Sequence, residues 1–199
     1  MKLVLLFIFS YLLGAIPVGF IAGKMLKGID IRRHGSGNPG ATNAFRVLGP
    51  VPGVITFILD ALKGCIPVLT AMHITGNEFI AIGAGLCAIT GHMYTVFLGF
   101  KGGKGVATSA GVFGALLPAP AGLALAAFAA VFAATGYVSA GSIVAAVVLP
   151  LAGFFLGASP VRILCAALVA IVIIFQHTPN IRRLINGTEN KISSRGGNT

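Results

Sequence analysis

The chain has 199 residues, 56% of them hydrophobic, and its 14 basic and 4 acidic side chains make up only 9% of the sequence. A water-soluble domain carries about a quarter charged residues, so this composition cannot cover a globular surface. It excludes a disordered chain, a secreted disulfide scaffold and a cytosolic α/β enzyme. What is left is an all-α, polytopic membrane protein with room for about seven apolar spans and no soluble domain.

The apolar run from Leu3 to Gly23 opens like a signal peptide. It exceeds the roughly 7–15 residues of a signal h-region and lacks a small-x-small cleavage site, so it reads as the first span. Further spans are expected near residues 51–72, 79–98, 106–117, 121–137, 142–158 and 161–176. The fourth is short, since 12 helical residues reach about 18 Å across a hydrocarbon core of about 30 Å. Small residues crowd runs such as AGLALAAFAA and TSAGVFGAL, which suits close helix contact where lipid supplies no hydrophobic drive. Cys65, Cys87 and Cys165 lie singly in apolar stretches and read as small buried hydrophobes.

The net charge of +10 is unevenly distributed. Lys24, Lys27, Arg32, Arg33, Arg46, Lys101, Lys104, Arg182, Arg183, Lys191 and Arg195 fall in connections predicted on one side, and Lys2 and Arg162 on the other. The positive-inside rule then puts the N-terminus outside and the C-terminus in the cytoplasm. A basic face of this kind suits anionic lipid headgroups or phosphorylated small molecules. Nucleic acid is not expected, because the basic loops lack interleaved aromatics.

Three polar stretches sit on that face. In Gly35-Ser36-Gly37-Asn38-Pro39-Gly40-Ala41-Thr42-Asn43, with Arg46 after it, glycines free the backbone to aim amides, and Arg46 adds a fork suited to phosphate. An unliganded polar turn has the same composition. In Gly99-Phe100-Lys101-Gly102-Gly103-Lys104-Gly105-Val106, a glycine turn feeding a helix start makes an anion site with Lys104 as point charge. It is not a P-loop, whose lysine is followed by Ser or Thr. In His177-Thr178-Pro179-Asn180-Ile181-Arg182-Arg183, a helix opened at Pro179 puts His177, Asn180 and Arg183 on one face. His177 suits proton transfer near neutrality or serves as a cap.

Other polar residues have local readings. Asp60 and Lys63, three apart inside the second span, are expected to form a structural pair or to point into the site. Ser142 either caps a helix or binds an anion. His73 and Glu78 have H-x4-E spacing, but the acid is Glu and the loop is predicted external, so they are set aside.

Taken together, GSGNPGATN, GHMYTVFLGFKGGKGVAT and HTPNIRRLINGTENK closely resemble the three motifs of the bacterial acyl-phosphate:glycerol-3-phosphate acyltransferase family. The resemblance runs from the first span to about Lys191. It implies one transmembrane acyltransferase domain over residues 1–192; residues 193–199 fit nothing in the pattern and read as a disordered tail or expression scar. It also implies seven transmembrane helices in the bacterial inner membrane, a cytoplasmic active site, and no metal, cofactor or acyl-CoA. The implied reaction moves a fatty acyl group from acyl phosphate to the sn-1 hydroxyl of glycerol 3-phosphate, giving lysophosphatidate and phosphate. Membrane lipid and the soluble enzyme that makes acyl phosphate are the implied partners. Carried over by position, Ser36, Asn38, Thr42, Asn43, Arg46, Gly102, Gly103 and Glu189 bind substrate, and His177, Asn180, Lys104 and Ser142 are catalytic.

Two phosphorylated substrates need two anion pockets, which the glycine turns with Arg46 and Lys104 are suited to supply, and the amides of Gly102 and Gly103 are candidates for the oxyanion. His177 or a substrate phosphate oxygen serves as base. A covalent acyl-enzyme through Ser36 or Ser142 is disfavoured, because no Ser-His-Asp arrangement is traceable. The alternative from another class is a transporter for a phosphorylated solute, which would place polar residues near the bilayer midplane and often shows internal repeats. No repeat is found, and the polar stretches sit at one predicted membrane edge.

Overall fold

The computed structural model describes residues 1–192; the tail expected at 193–199 lies outside the described residues. Among the described residues the chain is helical, with no strand. Helices α1 (Lys2–Ala15), α2 (Val18–Lys27), α3 (Ala41–Leu48), α4 (Pro50–Thr75), α5 (Glu78–Met93) and α6 (Val106–Leu116) belong to one compact unit. Helices α7 (Pro118–Thr135), α8 (Val138–Phe155), α9 (Pro160–Gln176) and α10 (Thr178–Ile185) belong to a second, which begins at Leu117.

Four stretches, Pro50–Thr75, Glu78–Leu98, Pro118–Thr135 and Val138–Phe155, are long and apolar enough to cross a membrane. Two bent pairs raise the number to six if each is one span: α1 with α2, bent by 40°, and α9 with α10, bent by 58°. The expected fourth span is α6, whose 11 residues cover about 16 Å. The expected sixth span starts earlier, at Val138.

The run 3–23 is two helices because Pro17 has no amide hydrogen to continue the ladder and its ring disfavours helical backbone at Ile16, whose ψ is 116°, so the carbonyls at the break point out of the helix ladder. Thr95 Oγ1 donates to the Ala15 carbonyl at 2.6 Å, and Lys63 Nζ donates to that of Ile16 at 2.7 Å. In hydrocarbon each such carbonyl left unmet would cost several kcal/mol, so the break is held by side chains from elsewhere in the unit.

Helix contacts use absent side chains. Gly14 lies on the backbone of Ala88 and Gly91 on the carbonyl of Tyr11, which brings α1 against α5. Gly64 meets the Thr108 carbonyl and Gly111 that of Ala61, joining α4 to α6. A Cβ at any of the four would overlap the opposing backbone. Within the second unit α7 packs on α8 and α8 on α9, with Gly141 against Phe128. The outward faces expose Leu12, Ile58, Leu125, Phe154 and Ile171, an apolar surface suited to lipid. All three cysteines are free; Cys165 is buried, Cys65 and Cys87 half-buried.

Candidate active site

In the first unit, the loop before α3 is built by its own polar side chains. Asp30 accepts the Arg32 amide at 3.0 Å and pairs with its guanidinium at 2.8 Å, opening the 3-10 turn Ile31–Arg33. The hydrogen bonds from Arg32 hold the Asp30 carboxyl at about 2. Asn43, 1% exposed, donates from Nδ2 to the carbonyls of Ile31 and His34, both at 3.0 Å, and accepts the Ser36 amide on Oδ1 at 2.8 Å. Its amide is thus taken up by the loop. Gly35 and Gly37 have φ of +59° and +73°, and a Cβ on Gly35 would overlap Asn43 Oδ1. Asn38 Oδ1 accepts the Gly40 amide at 2.8 Å, turning the chain into α3.

Helix α3 opens from Gly40 without a side-chain cap. Exposed Ser36 and half-buried Thr42 lie near that end in sequence, and half-buried Arg46 lies one turn along the helix from Thr42. The first turn of an uncapped helix carries amides and the positive end of the dipole, as an anion requires.

The second stretch follows α5. Thr95 caps a 3-10 turn, Val96–Leu98, and the chain reverses through Gly99 and Phe100, both at φ +62°. Phe100 is the non-glycine residue with positive φ among the described residues, a conformation that costs about 1–2 kcal/mol. The Gly102 amide donates to the Met93 carbonyl at 3.0 Å, and the Gly103 amide to that of His92 at 3.1 Å. The expectation that these two amides face an oxyanion is therefore not met: they close the loop onto the end of α5. Their lack of side chains is the reason they stand there, since a Cβ on Gly102 would overlap the His92 carbonyl and one on Gly103 the His92 ring. Half-buried Lys104 follows, and Gly105, at φ +85°, leads into α6. Lys101 is exposed.

Asp60 and Lys63 form the expected pair at 2.7 Å. Sequence reasoning missed a third member, His92, whose Nδ1 lies 3.7 Å from the same Asp60 oxygen. No spacing rule links residues on two helices.

In the second unit, α10 opens with Pro179 in its first turn as expected. Glu189, 8% exposed, gathers its neighbours: Asn180 Nδ2 and Ser139 Oγ donate to Oε1 at 2.7 and 2.9 Å, and Arg183 Nε donates to Oε2 at 2.7 Å. Burial pushes this carboxyl up, but the bonds from Asn180, Arg183 and Ser139 outweigh it and hold it below its ordinary value. Asn180 and Arg183 thus share a face, while Ser139, which the sequence did not single out, enters from the first turn of α8. The segment after Glu189 is tied down by the Ile192 amide, which donates to the Gly136 carbonyl at 3.0 Å, and by Lys191 over the Tyr137 ring.

His177, 3% exposed, closes α9 and precedes α10, with Nδ1 2.8 Å from the Ile173 carbonyl. A carbonyl only accepts, so Nδ1 carries the hydrogen, and in the neutral ring Nε2 is the acceptor nitrogen. Ser142 does not cap a helix: it lies inside α8, buried, and its hydroxyl donates to the Val138 carbonyl at 2.8 Å.

A profile of the glycerol-3-phosphate acyltransferase family matches residues 4–187. A glycerol-3-phosphate acyltransferase of Endomicrobium trichonymphae is 47% identical over 95% of each chain, and that of Trichlorobacter lovleyi 49% identical over 93% of this chain and 95% of its own. A crystal structure of PlsY (YgiH), described as an integral membrane glycerol 3-phosphate acyltransferase in its glycerol 3-phosphate form, superposes with a TM-score of 0.92. It is 42% identical and aligns over 98% of this chain and 97% of that one. Its lysophosphatidic acid form superposes with a TM-score of 0.90. With three polar stretches held in defined turns and a match of this extent, the chain belongs to the glycerol-3-phosphate acyltransferase family.

Proposed function

We propose that the protein transfers a fatty acyl group from acyl phosphate to the sn-1 hydroxyl of glycerol 3-phosphate. The observation that carries this is the close superposition on a relative described with glycerol 3-phosphate and with lysophosphatidic acid. The ester C–O bond forms as the acyl carbon–phosphate oxygen bond breaks, and the hydroxyl proton ends on the released phosphate. Phosphate already leaves readily, so the chain's task is alignment and charge neutralisation. Arg46 and Lys104 neutralise phosphate, with Ser36, Asn38 and Thr42 adding neutral hydrogen bonds around the start of α3. His177 accepts the hydroxyl hydrogen on Nε2, with the leaving phosphate as the other available base. Glu189 and Asn43 serve by holding Asn180, Arg183 and the first loop, and Ser142 and Asn180 contribute hydroxyl and amide groups to the reacting centre.

The same reading makes the protein a seven-span enzyme of the bacterial inner membrane, with its N-terminus outside and its polar stretches at the cytoplasmic face. Acyl phosphate then comes from a soluble enzyme. The CoA thioester is not the donor in this reading, because its nucleotide asks for a stacking surface, and the short connecting loops have no Trp and few aromatics beyond Tyr94, Phe97 and Phe100. The test is phosphate release and lysophosphatidate formation by purified protein given palmitoyl phosphate and glycerol 3-phosphate, beside palmitoyl-CoA without other proteins. Turnover with the acyl phosphate alone supports the assignment; equal turnover of the CoA ester overturns the donor.

A further inference from the structure

Asp60 and Lys63, one turn apart on α4, are 1% and 4% exposed, and His92 at the end of α5 is 8% exposed. Ionisable groups at such depth in an apolar helix bundle are costly and call for a reason. Lys63 has one in the Ile16 carbonyl at the α1–α2 break. Asp60 offsets Lys63 at 2.7 Å. Lys63 and His92 both face Asp60 Oδ1, at 2.7 and 3.7 Å, so the ring is a second partner of the buried carboxylate. An apolar side chain of similar size would fill the space under the loop without burying a polar ring.

What His92 touches is the Gly102–Lys104 loop. Its carbonyl receives the Gly103 amide at 3.1 Å, a bond any residue could make. Its ring is specific: it lies so close to Gly103 that a Cβ there would overlap Nε2. The other ring nitrogen, Nδ1, stands 3.7 Å from Asp60 Oδ1. A small cavity lined by Asp60, Lys63, His92, Pro39, Gly102 and Gly103 connects this group to the turns of both polar stretches of the unit. Asp60 therefore restrains the rotation of a flat ring, and the glycine turn rests on that ring one residue before Lys104.

We propose that His92, steadied by Asp60, is a positioning residue for Lys104. Its ring is the floor that sets where the Gly102–Gly103 turn sits and hence where the ammonium meets substrate phosphate. This rests on the reading of Lys104 as a phosphate ligand, and the experiment separates the two.

Steady-state kinetics of the purified full chain with palmitoyl phosphate and glycerol 3-phosphate are measured for Lys104→Arg, Lys104→Met, His92→Leu and the double variant His92→Leu/Lys104→Met, alongside thermal unfolding in detergent. His92→Leu is expected to lower kcat/KM about 100-fold, the scale of a misplacement of about 1 Å. The rise should appear in KM for the same phosphorylated substrate whose KM rises in Lys104→Arg, with the other KM unchanged. In the double variant the loss should match that of Lys104→Met alone, because a floor has no effect once the group it places is gone. Losses that multiply, or wild-type kinetics in His92→Leu, overturn the proposal while leaving Lys104 in place. Wild-type kinetics in Lys104→Met overturn both readings. Should His92→Leu fail to fold, Gly103→Ala displaces the turn from an intact ring. It must then reproduce the KM signature, and an unchanged KM overturns the proposal.

Discussion

Asn43 and Glu189 are both polar residues in recognisable stretches, and neither spends its polar atoms on solvent. Asn43 satisfies one amide and two carbonyls of its own loop, and Glu189 takes three hydrogen bonds within the second unit. A sequence shows which groups can donate or accept but not to whom, so residues that hold a loop and residues that hold a ligand look alike in it. Lys104 belongs to the second kind in the proposed mechanism. Lys104→Met is expected to lose about 2–4 kcal/mol of transition-state stabilisation, the scale of one lost oxyanion donor, with Lys104→Arg keeping part of the activity; kcat/KM of the folded variants is the check. Glu189 yields a pH-dependent prediction. Its carboxyl is lower in the folded chain than its ordinary 4.5, so its stabilisation is complete above that value and fades as pH falls through the lower folded one. Glu189→Gln should lower the unfolding temperature at pH 7, and the gap from wild type should close in acid. A gap that stays constant down to pH 3 would remove this role.

At the scale of elements, the decisive feature is the break between α1 and α2. Pro17 was visible in the sequence, but a proline in an apolar run permits either a kinked span or two helices. The outcome depends on whether the freed carbonyls find donors. Thr95 and Lys63 provide them from positions 80 and 47 residues away. Lys63→Met removes the side-chain donor to Ile16, whose carbonyl keeps the Val18 amide at 3.1 Å, and leaves Asp60 facing the His92 ring among the described residues. It should destabilise the protein by about 3–5 kcal/mol, the cost of breaking a buried pair. The measurement is the loss of folded monodisperse protein on heating in detergent, compared with Lys63→Met/Asp60→Leu, which should recover part of the loss. Equal unfolding of wild type and Lys63→Met would make the pair dispensable. The short α6 has a related lesson. Its apolar run is short for a span in the sequence, and the structure keeps it at 11 residues because the preceding loop is spent on the turn over His92.

For the whole molecule, the uneven spread of basic residues leads to an orientation. Exposed Lys101 and Arg182 are expected to face the cytoplasm, each replaced by cysteine in a background without Cys65, Cys87 and Cys165 and labelled by an impermeant thiol reagent. Labelling from the outside of intact cells at either position would refute the proposed topology. Composition, hydropathy and the three polar stretches were enough for the class, the all-helical fold and the family, because those properties are sums over residues or runs of neighbouring ones. The number of long helices, the amides of Gly102 and Gly103 turned inward, Ser139 joining Glu189, and His92 standing beside Asp60 were decided only in three dimensions. Each depends on which distant group arrives to meet a donor, an acceptor or a missing Cβ, and in an apolar interior, where water cannot stand in for a missing partner, that arrival determines the local conformation.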